Sequence, residues 1–299
     1  DRAGALAAFA LAMKAATKLG RRRFLRQAIR PNICVLQDVR FTPSEMQDVA
    51  AVVGKDLFTA DFREMMGQFE QAKNFGSLIV PKLRDPAEVA RIVRLKDFGG
   101  DLLLREVQER VLKVLEMAEA LSPKYQVAVA NPPYMGGKGM NAQLSEFAKT
   151  HFSDSKSDLF AMFMERTAAL AVRQGLVAMV NMQAWMFLSS FEKLRTKLLS
   201  NSTLLSMAHL GERGFDTIGG AVVSTTAFVI QNWPDPSHRG DYVRLVDGGS
   251  EAEKASQMRG AIQNRDCGRI FQASANDFKL IPGDPIAYWA TSAVKSAFA

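Results

Sequence analysis

Apolar positions recur with two periods along this chain, and the alternation between them is the first guide to its fold. Leu6, Ala10, Met13 and Thr17 stand at helical spacing in an Ala-rich opening stretch, and the helix is predicted to run on through Arg21, Arg22, Arg23, Arg26 and Arg30 until Pro31 stops it. Asn32 to Leu36 is a short apolar run ending in Gln37-Asp38, the pattern of a buried strand that delivers polar residues at its carboxyl end. Thr42 to Leu121 then reads as helical throughout, best from Leu103 to Ala118, where Leu103, Val107, Val111, Leu115 and Ala118 fall on one stripe. Tyr125 to Ala130 is a second strand. Beyond a Gly-rich loop, a helix from Asp158 to Arg173 leads through Gly175 into a third strand, Leu176 to Asn181, followed by a helix from Phe191 to Leu199.

Strands alternating with helices imply an α/β fold with a parallel sheet, and in an open sheet of that kind ligands bind at the carboxyl ends of the strands. Leu204 to Leu210 and Ala221 to Gln231, joined by a Gly-containing loop, predict an antiparallel pair at the edge of that sheet. After Trp233 the composition shifts to Pro, Gly, Asp and Ser, so the remainder reads as a connector with one strand, Tyr242 to Val246. No internal repeat is visible. A chain that opens at Asp1 without Met and closes on the aromatic Ile286-Ala287-Tyr288-Trp289 segment reads as part of a longer polypeptide.

The chain has 299 residues, 47% hydrophobic and 23% charged, which excludes a disordered or collagen-like protein. The longest apolar stretch, Gly175 to Leu188, is broken by Asn181 and Gln183, so no membrane partner is expected. Lys and Arg outnumber Asp and Glu by 38 to 31, and the net charge of +7 favours an anionic partner, nucleic acid first. Lys14, Lys18, Arg21, Arg22, Arg23, Arg26 and Arg30 follow one another with no acidic residue between them, a run suited either to phosphates or to a solvated helix face. Cys34 and Cys267 are too few for a disulfide framework, pointing to a reducing compartment, the cytoplasm. His151, His209 and His238 lack metal-ligand spacing, so no metal is expected.

Asn131-Pro132-Pro133-Tyr134, directly after a strand, is the most informative segment. Two consecutive prolines fix φ twice and remove two donors, leaving carbonyl acceptors at the strand end. The Asn131 side-chain oxygen and the Pro132 carbonyl can accept both hydrogens of a planar amino group and orient its lone pair toward an electrophile, while Tyr134 stacks on the attached ring. Gly136-Gly137-Lys138-Gly139 lacks the residues of a phosphate loop. It reads as a mobile loop in which Lys138 either holds a phosphate or is merely solvated. Trp185 and Phe187 read as core residues.

These residues resemble the amino-methyltransferases that use S-adenosylmethionine and carry Asn-Pro-Pro-Tyr, chiefly the DNA adenine N6-methyltransferases. Ser157-Asp158-Leu159-Phe160 with Phe163 is similar to that family's next motif, and Gly175 to Val180 to its following strand. His209-Leu210-Gly211-Glu212 with Phe215, then Val222 to Thr226, is similar to its late motif. The long helical insertion, the extended run Asn131 to Asn141 and the closing Ile286 to Trp289 look most like the PglX type, the large adenine-specific enzymes of phage-growth-limitation and BREX defence.

The resemblance implies catalysis by Asn131, Pro132, Pro133 and Tyr134, and cofactor contacts from Asp38, Asp158 and Phe160. It also implies target-base or DNA contacts from Phe215, Lys138, Arg22, Arg23 and Arg26. Its implied partners are double-stranded DNA and other phage-defence proteins. The family's Gly-rich first motif and ribose-binding acid do not occur in this sequence. The expected fold is therefore an incomplete Rossmann-like methyltransferase sheet with a helical insertion and an antiparallel edge hairpin. Residues 1–41 are expected to form a partial core, 42–122 the insertion, 123–233 the catalytic core, and 234–299 a connector toward a target-recognition region. Competing readings are methylation of a protein glutamine or an RNA base, and a DNA- or partner-binding piece inactive in isolation.

Overall fold

The structure is a computed structural model that describes residues 2–27, 30–54, 56–96, 98, 102–216 and 223–298, without the side chain of Arg21. It divides into two compact units, 1–123 and 124–299.

The first unit is helical. Its opening helix, Arg2–Leu19, buries none of its residues and is followed by a short helix, Arg21–Gln27, on which Arg22, Arg23 and Arg26 are exposed. Pro43–Val53 starts at a capping box in which Glu45 N–H donates to Thr42 Oγ1 at 3.2 Å and Thr42 N–H to Glu45 Oε2 at 2.7 Å. Most of the stripe predicted within the longest helix, Leu102–Leu121, is observed: Val107, Val111, Leu115 and Ala118 are buried and share a core with Phe62, Met65, Met66, Phe69 and Val93, but Leu103, in the helix's first turn, is exposed.

The strand expected at Asn32 to Leu36 is not formed; residues 30–41 have no regular structure. Their polar groups find partners elsewhere, Gln37 N–H on Met117 Sδ at 3.2 Å and Val39 N–H on the Phe69 carbonyl at 3.0 Å. Cys34, Leu36 and Val39 pack on the helical core. An apolar run needs burial but not a ladder, and here helices supply the burial.

The second unit is built on six strands: β1 Tyr125–Ala130, β2 Ala171–Met182, β3 Thr203–Gly211, β4 Thr225–Gln231, β5 Gly240–Arg244 and β6 Ile270–Ala273. Their order is β1-β2-β4-β3-β5-β6. β1 is parallel to β2, β4 runs antiparallel to both β2 and β3, and β5 is parallel to β3. β1, β2, β3 and β5 thus share one direction, and their carboxyl ends lie along one edge of the sheet.

β1, β3 and the described part of β4 fall close to their predicted spans, with positions 221–222 outside the described residues, whereas β2 already begins at Ala171, so the helix expected to run to Arg173 ends at Leu170. Two expectations are corrected. The antiparallel pair β3–β4 is present but is not the edge, because β5 and β6 extend the sheet beyond it. The stretch 234–299, read as a connector with the single strand Tyr242 to Val246, supplies both strands, a helix Glu251–Gln263, and the buried side chains Tyr242, Phe278, Ile286 and Tyr288.

One face of this sheet is closed. Val177, Met179, Leu204, Met207, Phe228 and Ile230 meet Phe160, Ala161 and Met164 from the helix Leu159–Leu170, and Leu194, Leu198 and Leu199 from the helix Glu192–Asn201. The other face carries an apolar groove of about 520 Å³, floored by residues such as Val129, Ala178 and Val229, walled by Met258 and Ile262, and ending at Asn131.

Candidate active site at the carboxyl edge of the sheet

The chain leaves β1 at Ala130 and enters Asn131-Pro132-Pro133-Tyr134. All peptide bonds in the described chain are trans. Asn131 is exposed, and its side-chain amide has no hydrogen-bond partner among the described residues; Pro132 is buried behind it. An amide that precedes a rigid dipeptide and bonds to no described residue is open to a ligand.

Tyr134 is half-buried, with its ring edge-on to Phe160 at 6.3 Å and 88°. Burial raises its phenol above the ordinary range, so it stays neutral and offers an aromatic face.

What positions this turn is Asp158, the N-cap of the helix Leu159–Leu170. Its Oδ1 accepts from Phe160 N–H at 3.2 Å and from Met135 N–H at 3.1 Å. Leu159 N–H donates to the Met135 carbonyl at 3.0 Å, and Gly137 N–H to the Ser157 carbonyl at 3.2 Å. One carboxylate therefore ties the residue after Tyr134 to a helix start more than twenty positions away. Burial pushes the Asp158 carboxyl above the usual range, against the opposing pull of these backbone donors.

Asp158→Ala is expected to cost about 1–2 kcal/mol, the usual magnitude for a lost N-cap, and to speed amide exchange at both Met135 and Phe160. Asp158→Asn, which keeps an acceptor, should do less of each. Equal exchange rates at Met135 in wild type and Asp158→Ala would contradict the tie.

The other predicted residues fall as follows. Phe160 is 1% exposed and packs on Phe191 as well as Tyr134, so its ring is a wall of the core. Lys138 is exposed in the turn Gly137–Gly139. Phe215 is half-buried in the loop after β3. That loop leaves the sheet at Gly211, whose φ of +66° favours glycine and whose Cα faces Val246 closely. It is anchored beyond Phe215, where Asp216 Oδ1 accepts from Glu251 N–H at 3.1 Å. Lys254, 2% exposed, donates to the Leu210 and Leu245 carbonyls at 2.8 and 2.7 Å, holding the ends of β3 and β5 together. Residues 217–222, which include Val222 of the late motif, lie outside the described residues.

Asp38, Arg22, Arg23 and Arg26 belong to the first unit. Asp38 Oδ1 accepts from Lys73 N–H at 2.8 Å, and the residue lines a polar cavity of about 470 Å³ with Arg40, Glu106, Glu109 and Lys113.

Sequence reasoning left His209 as an isolated core or surface histidine. It is 5% exposed near the end of β3, between Gln183 Oε1 at 2.6 Å from Nε2 and Tyr288 OH at 2.9 Å from Nδ1. Since the Gln oxygen only accepts, Nε2 donates to it and Nδ1 accepts from the Tyr288 hydroxyl. Burial, with Arg244 and Lys254 nearby, pushes the imidazole from 6.5 down to about 4.

The folded protein thus resists protonation that the unfolded chain accepts. The stability contributed by neutral His209 is complete above about pH 6.5 and is lost as pH falls toward 4, roughly 3 kcal/mol in all. The thermal midpoint should fall across that window, and less steeply in His209→Gln. Identical slopes would remove His209 as the cause.

The sheet and its Asn-Pro-Pro-Tyr strand end have the architecture of a methyltransferase core. The Eco57I restriction-modification methylase pattern matches residues 14–215, and the chain belongs to that family. It is 41% identical, over all of its length, to the adenine-specific methyltransferase BrxX of Escherichia coli O9:H4 (strain HS), of which it covers 26%. It is 36% identical over 97% of its length to the adenine-specific methyltransferase PglX of Lacticaseibacillus casei (strain Zhang), covering 24% of that protein. The chain therefore spans about a quarter of the length of the curated relatives it matches, and the resemblance to the PglX type is borne out. Among solved structures, one of a type I restriction-modification system is similar at 12% identity over 84% of this chain and 64% of that one, with a TM-score of 0.42.

Proposed function

We propose that these residues are the catalytic part of an adenine N6-methyltransferase acting on double-stranded DNA. The observation that carries this reading is the unengaged Asn131 amide at the end of β1, beside the half-buried ring of Tyr134. A target adenine must leave the helix stack, at a cost of a few kcal/mol. Tyr134 on one side and Phe215 on the other offset that cost by stacking. Asn131 Oδ1 and the Pro132 carbonyl then accept the two amine hydrogens, which directs the nitrogen lone pair outward. The names of the relatives support adenine as the target.

S-adenosylmethionine, when bound, supplies the methyl group as an electrophile on a sulfonium. The residues present fit it in part: Asp38 lines a polar cavity and engages Lys73 through Oδ1, a carboxylate that suits an adenosyl amine, whereas the buried Phe160 offers no open surface. The role we assign to Asp158 is to hold the turn that carries Tyr134. Exposed Lys138, Arg22, Arg23 and Arg26 suit phosphate contacts, each adding a salt-dependent increment to affinity. We further propose that the enzyme serves bacterial phage defence in the cytoplasm, a reading supported by its resemblance to the PglX type.

The test is nucleoside mass spectrometry of DNA from a host lacking adenine methylation that expresses the full-length protein. N6-methyladenine is the expected product. Its absence, with soluble protein confirmed and methyl transfer found instead on RNA or a protein glutamine, would overturn the reading.

A further inference from the structure

Trp289 stands at the same edge of the sheet as Asn131 and Tyr134, and nothing in the chemistry above uses it. Gln183 to Phe187 follow β2, His209 lies near the end of β3, and Arg244 closes β5, so all three reach the carboxyl edge. Trp289 arrives there from the far end of the chain, guided by the Ile286 N–H bond to the Met186 carbonyl at 3.0 Å.

Its indole lies over the His209 ring, at 6.0 Å and 28°, and meets Phe187 edge-on at 5.6 Å and Tyr288 at 4.8 Å. The Arg244 guanidinium stands 6.0 Å from its ring centre. Trp289 nevertheless remains 39% exposed. An aromatic ring fixed from three sides, open on the rest, with a guanidinium at its rim, has the chemistry that receives a base and its phosphate together. Arg244 also meets Asp247 at 3.1 Å, but that pair is solvent-exposed and leaves guanidinium donors free.

We propose that Trp289, seated on His209 and Phe187 and flanked by Arg244, is a stacking platform for a nucleobase of the DNA other than the one that is methylated. The inference rests on the reading of the chain as a DNA methyltransferase. It adds a second point of contact that fixes the substrate strand relative to the Asn131 site.

The experiment uses the full-length protein with duplexes carrying 2-aminopurine at successive positions around the target adenine. The wild type should quench the probe at one position outside the target. Trp289→Ala should lose that quench and bind duplex about tenfold more weakly or worse, and Trp289→Phe should restore most of both. Arg244→Gln, should Trp289→Ala fail to fold, is expected to weaken binding at all sequences and lower the salt dependence by about one ion.

Unchanged affinity and an unchanged quench in Trp289→Ala would overturn the platform, while N6-methyladenine formation by the same variant would leave the functional reading standing. A wild-type protein that binds no duplex and forms no N6-methyladenine would overturn both.

Discussion

Replacing Asn131 by Ala in the full-length protein is expected to remove N6-methyladenine from the product DNA while leaving the protein folded and able to bind duplex. The two halves of that expectation come from the same observation. Asn131 is exposed and its amide bonds to no described residue, so truncating it removes no internal contact and should change stability by less than about 0.5 kcal/mol. The acceptor it presents, however, would act on the amine only as the nitrogen becomes a nucleophile, and loss of one such oriented group typically costs on the order of 10²–10³ in rate.

Asn131→Asp keeps an oxygen in place and separates the acceptor role from bulk, because it should retain more activity than the Ala variant. Single-turnover methyl transfer gives the rate, anisotropy with labelled duplex gives the affinity, and the thermal midpoint controls for folding. Methylation by Asn131→Ala within a few-fold of wild type would sink the assignment of this turn as the catalytic one.

The parts of this protein that were legible in its sequence are those whose signal is local. β1 to β4 are apolar runs punctuated by helices, and the longest helix of the first unit shows its stripe directly. The Asn-Pro-Pro-Tyr turn is legible because two adjacent prolines and an aromatic mark a strand end by residue type alone. The strand misread at Asn32 to Leu36 is a short apolar run much like β1, but among the described residues no strand pairs with it.

Glu251–Gln263 went unread because the residues it buries are Lys254 and Ala261, while Ile262 stays exposed, so no apolar stripe marks it. The supports of the site were hidden by separation along the chain. Asp158 meets Met135 across 23 positions and His209 meets Tyr288 across 79. No pattern of spacing announces such pairs. The aromatic Tyr288-Trp289 ending did stand out by composition, but its partners became visible only in the folded chain.

The row of side chains behind that edge predicts the largest loss of stability. Trp185 follows β2 and is 0% exposed, with its ring 5.2 Å from Phe228. Its indole N–H donates to Asn181 Oδ1 at 3.1 Å, and Thr226 Oγ1 donates to the same oxygen at 3.0 Å. Trp185→Ala would leave a cavity in the centre of the second unit's core, and such substitutions cost about 3–5 kcal/mol.

Set against a total of about 5–15 kcal/mol for a typical domain, that loss brings the second unit close to unfolding. Its thermal midpoint should fall by roughly 10 °C, read by calorimetry so that the lost fluorophore does not matter. Trp185→Phe should lose much less, since most of the volume stays and Asn181 Oδ1 keeps its bond from Thr226. The functional consequence would follow from geometry: the short turn Gln183–Met186 that holds Trp185 also aims Gln183 at His209. A drop of less than about 2 °C in Trp185→Ala would mean that this residue is not the keystone of the core that supports the site.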